Sequence, residues 1–197
     1  MNPLFFSQSD PKLLPVIAEL LEMGGVFIFP SDTVYGIGGN PWDERALTRV
    51  RRLKGRSPDQ PFTLHLATLA EVERFAHLGE GTRETLKRFL PGPITFLLAA
   101  GKGAPQSAVA KGKIGIRVPD HSFFSSVMAT LGQPLFGTSV NRSGEPPLED
   151  IEQMIEHFSG VDLIVEGSSG AGVPSAIIDL TVSPPQALRG ELPAGLR

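Results

Sequence analysis

The chain has 197 residues, of which 41% are apolar, enough for a continuous buried core in one domain spanning 1–197. A formal net charge of −3 argues against a surface that coats nucleic acid, while leaving room for a local basic pocket. The absence of cysteine excludes disulfides, thiolate metal sites and cysteine nucleophiles; no apolar run is long enough to span a bilayer and no signal-type segment opens the chain, so a cytoplasmic location is the default.

In chain order, Asp10-Pro11 opens a helix whose Leu13, Leu14, Ile17, Leu20 and Leu21 form one stripe, and Gly24-Gly25 stops it. Residues 26–29 are a short apolar run that reads as a strand buried on both faces, delivering Pro30-Ser31-Asp32-Thr33-Val34-Tyr35-Gly36 at its C-terminal end. That heptad reads as a turn, with Asp and Ser bonding their own backbone and glycines at 36, 38 and 39 supplying unusual dihedrals. From Asp43, the positions Ala46, Leu47, Val50 and Leu53 recur at helical spacing and bring Lys54-Gly55-Arg56 to a helix C-terminus. A strand over 62–66 places Thr63 and His65 on one face and apolar residues on the other. Thr68 and Glu71 form a capping-box helix start, and a helix near 82–89 ends at Leu90-Pro91-Gly92-Pro93.

Residues 94–99 then predict a strand, 101–113 a small-residue basic loop expected to close over the site as a lid, and 114–118 a strand with Gly115 and Arg117 opposite its apolar face. A helix over 122–131, a strand over 135–139, a helix over 148–158 and a strand over 163–165 continue the alternation. A glycine- and serine-rich loop over 167–174 leads to strands over 176–180 and 187–189. Together they predict an α/β fold: a three-layer twisted mixed β-sheet with flanking helices.

Lys54 and Arg56 offer donors and fixed positive charge, which suits phosphate oxygens, or else they form a solvated cationic helix end. Gly55 between them lets the backbone turn so that both converge on one anion. Ser139 and Asn141 share a face and can both donate and accept, although a strand end running into an Asn/Ser turn has the same pattern. Arg117, alone among apolar neighbours, either reaches the surface or serves a pocket, because an unpaired buried charge is costly. The four histidines show no metal-ligand spacing, and there is no P-loop, dinucleotide fingerprint or nucleophile elbow. Catalysis by positioning and charge stabilisation is the chemistry left, as in phosphoryl and nucleotidyl transfer.

The heptad at 30–36, Lys54-Gly55-Arg56, Pro91-Gly92-Pro93-Ile94-Thr95, Ile116-Arg117-Val118-Pro119, Ser139-Val140-Asn141-Arg142-Ser143-Gly144, Ser175-Ala176-Ile177-Ile178-Asp179 and Leu188-Arg189-Gly190 occur in one order across nearly the whole chain. Together they resemble the YrdC-like family of threonylcarbamoyl-AMP synthases, in its short, single-domain form. The resemblance implies formation of threonylcarbamoyl-AMP and pyrophosphate from L-threonine, bicarbonate and ATP, with Mg²⁺ accompanying ATP, for the N6-threonylcarbamoyladenosine modification at position 37 of tRNA.

By the same resemblance Lys54 and Arg56 are the catalytic phosphate clamp, and Ser139, Asn141 and Arg189 help hold ATP. Thr33, His65, Arg117 and Ser175 form the threonine pocket, with Arg117 facing the carboxylate, and no metal ligand is assigned to the protein. Downstream threonylcarbamoyl-transfer proteins and a tRNA contact are the implied partners, with no membrane association. Ser31, Val140 and Ala176 depart from the family pattern; the last weakens any assignment of a hydroxyl after Ser175. Two alternatives stand beside this reading: a non-catalytic RNA-binding or RNA-maturation module on the same fold, and a paralogue using another carbamoyl-type substrate.

Overall fold

A computed structural model describes residues 3–170 and 172–196. The elements, in order, are β1 (Leu4–Ser7), α1 (Leu13–Glu22), β2 (Val26–Phe29), β3 (Gly36–Gly39), α2 (Glu44–Lys54), β4 (Thr63–His65), β5 (Ala76–His77), α3 (Glu80–Phe89), β6 (Ile94–Ala100), β7 (Val109–Ala110), β8 (Lys113–Arg117), α4 (Ser122–Leu131), β9 (Leu135–Ser139), α5 (Ile151–His157), β10 (Leu163–Glu166), β11 (Ala176–Asp179) and β12 (Gln186–Arg189). All strands join one sheet in the order β1-β10-β2-β3-β9-β4-β8-β6-β11-β12, with β5 added on β6 and β7 on β8. Pairing is parallel at β1/β10, β10/β2, β4/β8 and β6/β11 and antiparallel elsewhere, so the sheet is mixed, as the alternation predicts.

The register explains where a cleft can open. Leu64 lies beside Phe136 and Ile116, Ile116 beside Phe96, and Phe96 beside Ile178, which makes one unbroken apolar row. That face is closed, with α2 and α5 packing over Ile28, Ile37 and Phe136 and α3 placing Leu86 against Phe96, Ile116 and Ile178. On the opposite face α1 and α4 cover Phe27, Phe29, Leu135, Leu163 and Val165. The remaining stretch carries Thr63, His65, Thr95, Gly115, Arg117 and Gly137, too polar or too small to bury a further helix, and it stays open as the cleft floor.

Local chemistry sets the ends of α2. The Asp43 carboxylate accepts from the Arg45 and Ala46 amides at its start, and Gly55 ends it with φ of 62°, a left-handed conformation that favours glycine. The Thr68–Glu71 capping box forms, but it opens a 3₁₀ turn at Leu69–Arg74 rather than an α-helix.

The turn reading of 36–39 is corrected. These glycines form β3, fully buried, and none has positive φ. They are small because neighbours are close: a Cβ on Gly36 would meet the Phe29 ring, and one on Gly38 would overlap the Phe136 carbonyl. The lid expectation for 101–113 is also corrected. Ser107 binds the Pro41 carbonyl and the Phe62 amide, β7 pairs with β8, and nothing in that segment lines the cleft. The helix expected over 148–158 begins only at Ile151, capped by Asp150.

Candidate active site

The turn leaving β2 is tied to the end of β8. Arg117 Nη1 donates to Thr33 Oγ1 at 2.9 Å and Nη2 to Asp32 Oδ1 at 2.5 Å, and both partners of the ion pair are buried. Ser31 Oγ donates to the Val34 carbonyl at 2.7 Å and fixes the turn from inside. Burial lowers the Arg117 pKa and the Asp32 charge opposes that, so Asp32 keeps the guanidinium charged. The sequence pattern alone makes Asp32 a turn residue; its partner lies 85 positions away, beyond any local signal.

His65, one strand over, pairs in register with Arg117. Its ring packs edge-on to Phe29 and against Phe124, and a Cβ on Gly137 would strike it, so the glycine makes its place. Burial first, and then the Arg117 charge, push its pKa down to about 3, which leaves a neutral imidazole near pH 7. Nδ1 lies 3.3 Å from the Thr63 carbonyl, the arrangement of an Nδ1–H donor, which leaves Nε2 as an acceptor.

Ser175 completes this end. Its Oγ is 3.0 Å from Thr95 Oγ1, a buried hydroxyl not singled out from sequence as a site residue. Arg189 donates Nη2 to Ser175 Oγ at 3.2 Å and Nε to the Ser175 carbonyl at 2.9 Å. Arg189 is thereby tied to Ser175 and lies within electrostatic reach of Arg117.

The other end of the cleft is built where α2 meets the end of β9. Lys54 Nζ donates to the carbonyls of Ser139 and Asn141 at 2.5 and 2.7 Å and to Asn141 Oδ1 at 3.0 Å. Ser139 Oγ donates to the same Oδ1 at 2.6 Å, while Asn141 Nδ2 donates to the Arg142 and Glu145 carbonyls. Burial, reinforced by nearby Arg56, brings the Lys54 pKa down to about 7, and the three converging oxygens favour its ammonium form. All three N–H groups of Lys54 are thus spent on holding the 139–141 segment. Arg56 spends one group, Nη2 on the Pro61 carbonyl at 2.7 Å, lies over the Phe62 ring, and leaves Nε without a partner among the described residues.

Both ends open into one cleft of about 460 Å³. Lys54, Arg56, Arg117 and Arg189 line it and, among the described residues, no carboxylate does, so an acidic chain carries a locally cationic site. Residues 167–170 and 172–174 form a strap tied to the turn leaving β2: Tyr35 Oη donates to the Gly167 carbonyl at 2.6 Å, the Gly170 and Gly172 amides donate to the Ser31 and Thr33 carbonyls, and Pro174 lines the cleft.

Comparison with known proteins bears on this assembly. The Sua5/YciO/YrdC family model, described as telomere recombination, matches residues 19–190. The chain belongs to this family. Among Sua5/YciO/YrdC relatives, the "Threonylcarbamoyl-AMP synthase" of Pyrococcus abyssi is 33% identical over 186 residues, covering 92% of this chain and 54% of the relative. The chain thus spans about half the length of that relative. The protein of the same name from Cellvibrio japonicus is 34% identical over 167 residues, covering 83% of this chain and 88% of the relative. In three dimensions the crystal structure of P. abyssi Sua5 complexed with L-threonine aligns with a TM-score of 0.86 at 30% identity, covering 96% of this chain and 57% of that one. The family's mixed, helix-flanked sheet is the fold found here.

Proposed function

We propose that this protein is an L-threonylcarbamoyladenylate synthase, a nucleotidyltransferase that converts L-threonine, bicarbonate and Mg-ATP into threonylcarbamoyl-AMP and pyrophosphate. One observation carries the reading. A single cleft without lining carboxylates joins a hydroxyl-rich cluster around Arg117 to a cluster of Lys54, Arg56, Ser139 and Asn141. The first suits a hydroxy amino acid and the second a polyphosphate.

Arg117, held by Asp32 and Thr33, directs its remaining N–H groups at the amino-acid carboxylate. Neutral His65 adds no charge beside Arg117 and offers Nε2 as an acceptor. Ser175 and Thr95 share one hydrogen bond, which leaves one hydroxyl proton of the pair free for the ligand. Arg189 holds Ser175 in place. In the reaction the threonine amine takes up bicarbonate with loss of water to give a carbamate. A carbamate oxygen then forms a bond to the α-phosphorus, and the α–β bridging bond breaks with its electron pair leaving on pyrophosphate. Arg56 has donors free for that leaving charge, while Lys54 positions Ser139 and Asn141 and adds charge from behind. In this reading Mg²⁺ arrives on the nucleotide as part of the substrate and shares the leaving-group charge.

The product is an activated carbamoyl anhydride, and its transfer to tRNA falls to separate proteins. The test is pyrophosphate release from Mg-ATP and bicarbonate with L-threonine, L-serine, L-valine or no amino acid. Release that depends on threonine and is lost in Arg56→Ala supports the reading. A folded, ATP-binding protein without threonine-dependent release contradicts it and favours the RNA-binding or paralogue alternatives.

A further inference from the structure

Thr63 sits between the two halves of the cleft. Along β4 it is two residues from His65, which pairs with Arg117 in the amino-acid cluster. Across the sheet Thr63 pairs with Gly137, and two residues beyond Gly137 on the same face is Ser139, in the phosphate cluster. A two-residue step along a strand is roughly 6.6 Å. Thr63 therefore lies one such step from each cluster, on the row where the bond between amino acid and nucleotide must form.

That row is kept bare. Thr63 has Gly137 on one side and Gly115 on the other. Gly137 is required for packing, because a Cβ there would strike His65. Gly115 is not: its added Cβ would make ordinary contacts, 3.4 Å to Leu97 and 3.8 Å to Thr63 Oγ1. A position that could hold alanine and holds glycine leaves open space beside the Thr63 hydroxyl. The hydroxyls of Thr33, Thr95, Ser139 and Ser175 are all hydrogen-bonded within the protein, yet that of Thr63 has no such bond among the described residues, and it faces the cleft.

Building on the synthase reading, we propose that the Thr63 hydroxyl binds the bicarbonate-derived carboxylate of the N-carboxylated amino acid. Thr63 Oγ–H donates to the carbamate oxygen that does not attack. This turns the other oxygen toward the α-phosphorus, where the C–O–P bond forms as the bond to pyrophosphate breaks; Thr63 keeps its proton throughout. Gly115 leaves the room in which that planar group lies flat on the sheet.

The test compares wild type with Thr63→Val, nearly isosteric without the hydroxyl, Thr63→Ser, which restores it, and Gly115→Ala. Thr63→Val is expected to lower kcat roughly 10–100-fold and raise the KM for bicarbonate. Its dissociation constants for L-threonine and for Mg-ATP, measured separately by calorimetry, stay within about twofold of wild type, because the Thr63 hydroxyl bonds neither of them directly. Thr63→Ser recovers most of the rate, and Gly115→Ala lowers kcat without lowering the melting temperature. Wild-type kcat in Thr63→Val, or equal loss of threonine or ATP binding, overturns this inference while leaving the synthase reading intact. A wild-type protein that releases no pyrophosphate with threonine overturns both.

Discussion

Replacing Arg117 by methionine separates what the buried ion pair does for stability from what it does for the substrate. The two side chains are 6% and 9% exposed, and the second carboxylate oxygen of Asp32 has no partner among the described residues. Arg117→Met therefore leaves a buried carboxylate with nothing to neutralise it, a change that costs about 3–5 kcal/mol. For a chain of this length each kcal/mol moves the melting temperature by about 2–4 °C, so a fall of about 6–20 °C follows. Adding Asp32→Asn removes the stranded charge and should return at least half of the loss. Guanidinium unfolding of wild type, both single variants and the double variant gives the coupling energy directly. The double variant should be folded and still fail to turn over threonine, because the guanidinium assigned to the substrate carboxylate is gone. If Arg117→Met loses less than about 1 kcal/mol, or the double variant is no more stable than the single, the pair is not the buried, mutually dependent unit described here.

The His65 pKa, held down to about 3 from 6.5 mainly by burial, gives a signed pH dependence. The folded value lies below the unfolded one, so its contribution is complete above about pH 6.5 and is lost as pH falls toward about 3. The stability advantage of wild type over His65→Gln should shrink by up to about 1.4 kcal/mol per pH unit across that window, and parallel pH profiles would contradict the burial argument. Gly170→Ala would drive a Cβ into the Asp32 carbonyl and lift the strap; the expected result is a threonine KM raised roughly tenfold with ATP affinity unchanged, and an unchanged KM would show that the strap does not shape this end. Arg56→Ala should weaken Mg-ATP binding roughly 10–100-fold with little change in melting temperature, whereas Lys54→Met should chiefly lower the melting temperature by freeing the 139–141 segment. The opposite pattern in calorimetry and thermal unfolding would reverse the roles given to these two cations.

Strong local patterns were readable from sequence. The strand Val26–Phe29, the helix Ser122–Leu131 and the strand Leu135–Ser139 have the bounds their apolar patterns predict. Period two placed Thr63 with His65 and Gly115 with Arg117, and both pairs face the cleft. What escaped depended on distant partners. β1 is largely exposed, and pairs with β10 far along the chain, so four residues from Leu4 to Ser7 carry little pattern of their own. β3 was hidden because its glycines answer to Phe29 and Phe136 rather than to turn dihedrals. Asp32 and Thr95 look ordinary locally and acquire meaning only through Arg117 and Ser175. The Gly55 turn brings Lys54 and Arg56 to one cleft, but the oxygens that occupy Lys54 come from β9 and the loop after it, which no local pattern signals.

The most direct measurement is mass spectrometry of the nucleotide formed from Mg-ATP, L-threonine and ¹³C-bicarbonate. The account predicts an AMP conjugate whose mass includes threonine and shifts with the bicarbonate label, absent without threonine and absent in Arg117→Met. AMP alone, or an adenylate whose mass ignores the bicarbonate label, would contradict it.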